Sequence, residues 1–219
     1  SACIAISQET REEAIAFGIL PERIHLIPNG LAPDQFLPAS AGQRDEARKS
    51  LQVESDLLVL SIGRLSEEKN PLGLLQAWAL IGSEPRRRAV LAMVGDGPQE
   101  HLVRQLAGQL RLNGNVRLPG RSNNVAQWYR AADIYVIASH NEGLSNSMIE
   151  ALASGLPVIS TRVSGSSFLV DELPAGVIVG TASPEELAEA IAELILNGSR
   201  RQELATNARD VFEQCFLLD

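Results

Sequence analysis

The sequence is poor in cysteine and has no long apolar run. Its 219 residues include two cysteines, Cys3 and Cys215, near opposite ends. This spacing does not suit a metal site, and we interpret them as free thiols of a reducing cytosol. No apolar run approaches the roughly 20 residues that a membrane span needs. The first residues also lack the basic stretch of a signal peptide. We therefore expect a cytoplasmic protein without a transmembrane segment in this chain.

Positive charge is scarce as well. The chain has 19 Lys and Arg residues against 27 Asp and Glu residues, so its net charge is −8. This balance argues against general affinity for nucleic acid or an anionic membrane. An anionic ligand would need cations gathered locally. The sequence has no cluster of His, Cys and Asp at metal-ligand spacing and no Asp-x-Asp triplet, so we expect neither a metal nor another cofactor.

Short apolar runs alternate with helical patterns from residue 57 onward. This alternation predicts an α/β fold with a doubly wound, Rossmann-like parallel sheet covered by helices on both faces. Ligands of such sheets bind beyond the carboxyl ends of the strands. The loops to consider are therefore 63–69, 95–98, 119–124, 139–145 and 162–167. Predicted strands are Leu57–Ile62, Val90–Val94, Val116–Leu118, Ile134–Ala138, Pro157–Thr161 and Val177–Val179. Predicted helices are Asn70–Ile81, Gln99–Leu112, Val125–Ala131, Asn146–Ala153, Pro184–Leu196 and Arg200–Phe212.

The opening segment follows a different pattern. It predicts a strand at 3–6, a helix from a Ser7 cap through Ala16, and a strand at 23–27. Residues 31–44 contain Pro33, Pro38 and Gly42 and are interpreted as a linker. We thus divide the chain into residues 1–44, the end of another domain plus a linker, and residues 45–219, a ligand-binding domain.

Two glutamates, Glu142 and Glu150, bracket the passage from a loop into a helix. Ser145 is a candidate N-cap for that helix. One carboxylate then lies on a loop at the carboxyl end of a strand, and the other lies within the helix. Between them are the free N–H groups of a helix N-terminus, which attract phosphate. The arrangement suits a hydroxyl-rich ligand that carries a diphosphate.

The first of the loops adds two cations. Arg64 and Lys69 follow Gly63, which lets a ligand approach the backbone. Arginine can bind two phosphate oxygens at once, while lysine acts as a point charge. The alternative is a solvated loop with surface charges. In the third loop, Arg121 is either a ligand contact or a surface charge, and the sequence leaves this open.

The order and spacing of these motifs resemble the retaining glycosyltransferases of the two-domain GT-B type, the sucrose-synthase-like and lipopolysaccharide-type family, whose motif reads Glu, seven residues, Glu. The resemblance implies the C-terminal, donor-binding half of a GT-B fold. It implies that Arg64 and Lys69 grip the donor diphosphate next to Gly63, and that Glu142 contacts sugar hydroxyls and supports the reacting centre. Glu150 would bind the ribose and Arg121 would lie on the nucleobase side. Backbone N–H groups of Gly143, Leu144, Ser145 and Asn146 would receive phosphate oxygens.

The same resemblance implies an activity. A sugar would pass from a nucleoside-diphosphate sugar to an acceptor hydroxyl with retained anomeric configuration and without a metal, in glycan, lipopolysaccharide or polysaccharide biosynthesis. The acceptor, a glycan or a lipid-linked acceptor, would be bound by an N-terminal domain outside this chain. That domain could also place the protein at the membrane face. We therefore expect an excised donor-binding domain that is inactive alone.

One loop departs from the family pattern. Ser164 replaces the first glycine of a glycine pair, and Phe168 replaces an acid, which puts any contact of that acid in doubt.

Two other function classes stay open. One is a non-transferring GT-B enzyme, such as a nucleotide-sugar epimerase or a phosphorylase. The other is a Rossmann-like binding module, which would have no affinity for nucleoside diphosphates.

Overall fold

A computed structural model describes residues 2–32, 34, 36–112, 114–169, 174–180 and 182–217. The strands are β1 (Cys3–Ala5), β2 (Ile24–Leu26), β3 (Leu57–Ile62), β4 (Ala89–Val94), β5 (Val116–Gly120), β6 (Ile134–Ile137), β7 (Val158–Thr161) and β8 (Gly176–Val179). The helices are α1 (Gln8–Ala16), α2 (Ala41–Ser50), α3 (Pro71–Leu80), α4 (Ser83–Arg88), α5 (Glu100–Gln109), α6 (Val125–Ala131), α7 (Asn146–Ala153), α8 (Pro184–Leu196) and α9 (Gly198–Cys215).

Six strands form one sheet in the order β5-β4-β3-β6-β7-β8. Each neighbouring pair is parallel. The chain moves outward in one direction from β3 to β5, then returns to the centre and moves outward in the other direction from β6. This confirms the predicted doubly wound sheet. The order reverses between β3 and β6, and a crevice forms at such a switch point, beyond the carboxyl ends of the two strands.

Helices cover both faces of this sheet. Successive residues of a strand point to opposite faces, so Leu58 and Leu60 enter one core while Val59 enters the other. Residues of α2, α6, α7 and α9 complete the first core. Residues of α3, α5 and α8 complete the second, which contains the fully buried Trp78. Burial on both faces explains why the central strands are almost entirely apolar.

The opening segment forms a small parallel sheet of β1 and β2, joined through α1. Ser7 caps α1 as predicted, and the side chains of Ser7 and Thr10 each accept a hydrogen bond from the other's backbone N–H. This segment contacts the larger sheet's loops through Ser7, whose Oγ lies 2.6 Å from the Oγ of Ser164.

The linker predicted over 31–44 overlaps a helix. Helix α2 begins at Ala41, and its N-cap Ser40 forms a reciprocal capping box with Gln43. Gly42 was interpreted as a breaker, but it lies in the first turn, where the capping box fixes the backbone. Pro33 of the predicted linker lies outside the described residues. Helix α4 was also not predicted. The division at residue 44 itself stays a prediction.

Candidate functional site

A cleft opens at the switch point between β3 and β6. The loops that follow these two strands form its walls. The residues that line it include Gly63, Arg64, Lys69, Glu142 and Ser147. Four residues that the sequence placed in a ligand site therefore meet in one cleft, although Lys69 and Glu142 are 73 positions apart.

Lys69 and Glu142 form an ion pair across this cleft. The Lys69 ammonium group contacts Oε1 of Glu142, and the Ser139 hydroxyl donates to the same oxygen at 2.8 Å. The Glu142 side chain is only 10% exposed, while that of Lys69 is 36% exposed. The carboxylate is thus fixed by two donors, and the ammonium group keeps access to solvent. An ammonium group has three donors, so Lys69 can contact Glu142 and a further acceptor together.

Backbone hydrogen bonds hold the cleft loops to one another. His140 N–H donates to the Glu68 carbonyl at 2.8 Å, and this bond joins the loops after β3 and β6. Leu65 N–H donates to the Asp96 carbonyl at 2.8 Å. Gly95 has φ +146°, and a Cβ there would lie 1.9 Å from the Gly63 carbonyl oxygen, so only glycine permits this approach. The loop that carries Arg64 is therefore fixed from two sides.

Arg64 is an exposed cation at this fixed loop. It lines the cleft and also a neighbouring opening, which it shares with Gly63, Asp96 and Arg121. Within the described ranges its guanidinium group donates no hydrogen bond, so its donors are available to a ligand. Arg121, exposed on the loop after β5, faces the same opening. The structure thus places Arg121 beside the cleft, at the distal end from Glu142.

The start of α7 borders the cleft, and its cap differs from the prediction. Ser145 occupies the N-cap position, but its side chain accepts no capping hydrogen bond. Its Oγ lies 3.0 Å from the Oγ of Ser147 instead. The predicted cap bond is therefore absent, because the neighbouring hydroxyl attracts the Ser145 side chain. The Met148 N–H donates to the Ser145 carbonyl at 3.1 Å. Within the described ranges the N–H groups of Asn146 and Ser147 have no such partner and can bind an anion.

The residues before α7 are held by packing and by the opening segment. Gly143 lies against Ile6, since an added Cβ would come within 2.9 Å of the Ile6 Cδ1. Leu144 is buried. Asn146 is exposed, and its Oδ1 accepts a hydrogen bond from Asn29 Nδ2 at 2.9 Å. Asn29, in the segment after β2, thus holds the end of the loop that was predicted to receive phosphate.

Glu150 lies one turn into α7 and is held by a tyrosine. The Tyr129 hydroxyl donates to Oε2 of Glu150 at 2.8 Å. Burial raises the pKa of Glu150 above its ordinary value, and the bond from Tyr129 opposes part of that rise. Burial also raises the pKa of Tyr129, so its hydroxyl stays protonated and donates. Among the described residues no donor reaches Oε1 of Glu150, which leaves that oxygen for a ligand.

Sequence reasoning missed the residues that position these carboxylates. Ser139 holds Glu142, and Tyr129 holds Glu150. Tyr135 was also missed, and it holds the backbone instead, since its hydroxyl donates to the carbonyl of Ile62, the residue before Gly63, at 3.1 Å. Ser139 directly follows a strand and could have been suspected. The two tyrosines carry no comparable signal, because their partners come from distant parts of the chain.

Residues of the loop that departs from the family pattern, among them Arg162 and Ser164, line an opening that they share with Glu142 and Gly143. Phe168 packs against Phe216, with ring centroids 5.0 Å apart. Ser164 contacts Ser7 of the opening segment. Both substitutions therefore serve packing in this chain.

Within the described ranges, no three His, Cys, Asp or Glu side chains lie close enough together to hold a metal ion. No helix in that part of the chain has the length and apolarity needed to cross a bilayer.

Comparisons with known proteins identify the family of this chain. Residues 43–211 match the family glycosyl transferases group 1. D-inositol 3-phosphate glycosyltransferase 2 of Catenulispora acidiphila is 36% identical over 92% of this chain and 49% of its own length. The chain spans about half the length of the curated relatives that it matches.

Solved structures share the fold. The crystal structure of HepE from Anabaena in complex with UDP and glucose superposes with a TM-score of 0.89, at 25% identity, over 99% of this chain and 59% of that protein. The C-terminal domain of the group 1 glycosyl transferase LpcC from Francisella tularensis superposes with a TM-score of 0.77, at 24% identity, over 87% of this chain and all of that domain.

Proposed function

This chain belongs to the group 1 glycosyl transferases, and on that premise we propose that it binds a nucleoside-diphosphate sugar and supplies the sugar to an acceptor hydroxyl. One observation carries the proposal. Arg64, the Lys69–Glu142 ion pair and the start of α7 meet at the switch point of the sheet. Two cations and an uncapped helix N-terminus form a site for a diphosphate.

The diphosphate is proposed to lie between Arg64 and the start of α7. Arg64 has donors free for phosphate oxygens, and Lys69 keeps an exposed ammonium group beside Glu142. Ser147, in the first turn of α7, lines the same cleft, and the start of this helix would add the positive end of the helix dipole. Gly63 presents no side chain there, and the space above it is open.

The ribose is proposed to bind Glu150. A carboxylate oxygen accepts from a vicinal diol, and Oε1 of Glu150 is the oxygen that Tyr129 leaves unused. The nucleobase then extends toward the opening that Arg64 shares with Arg121. We propose uracil as the base, because HepE, which superposes over 99% of this chain at 25% identity, was solved with UDP.

The reaction is proposed to proceed by stabilisation of the leaving group. Negative charge grows on the diphosphate as its bond to the sugar breaks, and Arg64, Lys69 and the α7 N-terminus would stabilise that charge. These groups would do for the leaving group what a metal does elsewhere. Glu142, fixed by Lys69 and Ser139, would position the sugar. We do not assign it as a covalent nucleophile, and we propose retention of the anomeric configuration.

A panel of ligands tests this proposal. We expect UDP and a UDP-sugar to raise the melting temperature and to give saturable heats in calorimetry, because a ligand that binds only the folded state stabilises it. GDP and ADP serve as base controls. Stabilisation by GDP or ADP alone would correct the base. No affinity for any of the three would contradict donor binding and favour a different role for the cleft.

Retention is tested by the product. With the full-length enzyme, a UDP-α-sugar and an acceptor, the anomeric proton coupling in NMR spectra reports the configuration of the new bond. We expect the α product. A β product would show inversion, and an altered sugar still attached to UDP would show an epimerase instead.

A further inference from the structure

A second cavity lies at the amino ends of the strands, on the opposite edge of the sheet from the donor cleft. It encloses about 240 Å³. Helix α2 contributes Arg44, α6 contributes Arg130, and the start of α9 contributes Arg201 and Gln202. The lining of this cavity contains none of the residues proposed to contact the donor, although Tyr129, which donates to Glu150, borders it.

Positive charge is in excess in this cavity. Its lining has three guanidinium groups and one carboxylate, that of Asp133. The chain as a whole carries a net charge of −8. In an acidic protein, the binding of an anion requires that cationic side chains be gathered in one place, and the three arginines meet that requirement here.

The carboxylate in the cavity is already shared. Asp133 contacts Arg44 with one oxygen, and its other oxygen accepts from Arg48 at 3.3 Å and from Leu58 N–H at 2.7 Å. One negative charge thus serves two arginines and a backbone donor. It does not neutralise the remaining cations of the cavity.

The other two arginines form no ion pair in the described part of the chain. Arg201 donates to the carbonyls of Leu194 and Ile195, at 2.6 and 3.2 Å, at the end of α8. Arg130 is exposed and donates no hydrogen bond within the described ranges. Gln202 is exposed, and its side-chain amide is equally free there. The cavity therefore offers donors of Arg130, Arg201 and Gln202 that the fold does not use.

Arg201 also carries an electrostatic cost in the unliganded protein. Burial lowers its pKa, repulsion from Arg88 and Arg44 adds to this effect, and Asp133 opposes it. Folding thus holds like charges near one another. A bound anion would offset part of this cost, because it attracts the guanidinium groups.

We propose that this cavity binds a phosphate group, as inorganic phosphate or as a phosphomonoester. Guanidinium groups bind phosphate oxygens in pairs, and the Gln202 amide adds a neutral donor. The volume accommodates a phosphate with a small substituent. The phosphomonoester can belong to a soluble metabolite or to a lipid headgroup, and the experiment separates the two. The site stands independently of the proposed donor function.

The experiment first removes the donor cleft as a competing phosphate site. In the background of Arg64→Ala and Lys69→Ala, calorimetry is performed with inorganic phosphate and with glycerol 3-phosphate. Sedimentation is performed with phosphatidylcholine vesicles that contain phosphatidic acid. The test variants are Arg130→Gln, which removes a donor that the fold does not use, and Gln202→Glu, which adds a repelling charge. Arg23→Gln, an exposed site on the small sheet, is the control for an equal loss of charge.

We expect saturable binding that both test variants weaken by about tenfold or more. Arg130→Gln removes a charged hydrogen-bond donor, and Gln202→Glu repels the phosphate. Arg23→Gln should leave it unchanged, and the melting temperature of each variant without ligand should stay near that of the parent. Binding of soluble phosphate identifies a metabolite site, and binding of vesicles alone identifies a lipid headgroup. An absence of binding in both arms, or binding that neither test variant weakens, would overturn the proposal.

Discussion

Lys69 and Glu142 are partners in the protein without ligand, so each positions the other. At the residue scale this pair would couple the proposed binding of the diphosphate to the proposed placement of the sugar. Arg64 differs, because within the described ranges it has no hydrogen-bonded partner and is held only by its loop. The two cations therefore contribute to the same ligand by different routes.

The first prediction concerns these cations. Arg64→Ala and Lys69→Ala should each weaken binding of UDP by about 1.5–3 kcal/mol, because each removes a charged hydrogen bond to the diphosphate. Calorimetry at low salt measures the loss. Arg104→Ala, which removes an exposed arginine paired with Glu100 on α5, is the control and should have no effect. Unchanged affinity in both cleft variants would exclude the diphosphate clamp.

The second prediction concerns Glu150. Because burial raises its folded pKa above the ordinary value of 4.5, the charged form costs stability once the pH exceeds that value. Glu150→Gln should therefore raise the free energy of unfolding at pH 7, and this gain should vanish as the pH falls below about 4.5. The same variant should weaken UDP binding about tenfold or more, through the lost charged hydrogen bond to ribose.

Urea unfolding at several pH values, with calorimetry on the same samples, measures both effects. Glu189→Gln on α8, at an exposed position, is the matched control. A variant that is less stable than the parent at pH 7, or that binds UDP as the parent does, would show that Glu150 has a structural role only.

At the scale of elements, the sequence predicted most of the fold. Helices α6, α7 and α8 begin and end at the predicted residues, because cap residues such as Asn124 and Ser183 mark their starts. Helix α2 was missed because the Ser40–Gln43 capping box was not recognised before Gly42. Helix α4, with six residues, is too short to show a period.

The site was predictable in its loops but not in its pairings. The predicted strands indicated where a ligand would bind. Each candidate loop follows a strand, and the carboxyl ends of parallel strands lie at one edge of the sheet. The contacts of Glu142 with Lys69 and of Glu150 with Tyr129 join residues 73 and 21 positions apart. Such contacts arise from the order of strands in the sheet and from helix packing, which a single sequence does not encode locally.

The third prediction tests a contact between elements. Asp133 joins α2 to the start of β6 and accepts from the backbone of β3. Asp133→Ala should destabilise the protein by about 2–4 kcal/mol, because two partly buried arginines and a backbone N–H lose their acceptor. Urea unfolding measures the change. Glu203→Ala, which breaks the exposed pair with Arg200, should change stability by less than about 0.5 kcal/mol. Equal effects of the two variants would refute the assigned role of Asp133.

At the scale of the whole molecule, the two edges of the sheet have different chemistry. The carboxyl edge carries the proposed donor cleft, and the amino edge carries the cavity rich in arginine. Since the chain spans about half the length of its curated relatives, the acceptor side of the reaction is proposed to depend on further residues.

The fourth prediction follows from this division. The 219 residues by themselves should bind UDP but transfer little or no sugar, because a bound donor alone lacks an oriented acceptor. A discontinuous assay of UDP release from UDP-sugars, with a panel of acceptors, measures turnover. D-inositol 3-phosphate glycosyltransferase 2 of Catenulispora acidiphila, assayed in parallel, serves as the positive control. Robust turnover by the 219 residues would contradict the prediction.

The position of a bound nucleotide tests the central claim most directly. A crystal structure of the chain with UDP should show the diphosphate between Arg64, Lys69 and the start of α7, with a ribose hydroxyl within hydrogen-bonding distance of Glu150 Oε1. Density for the nucleotide at any other place, or a Glu150 carboxylate that contacts only solvent and Tyr129 in that complex, would contradict the account.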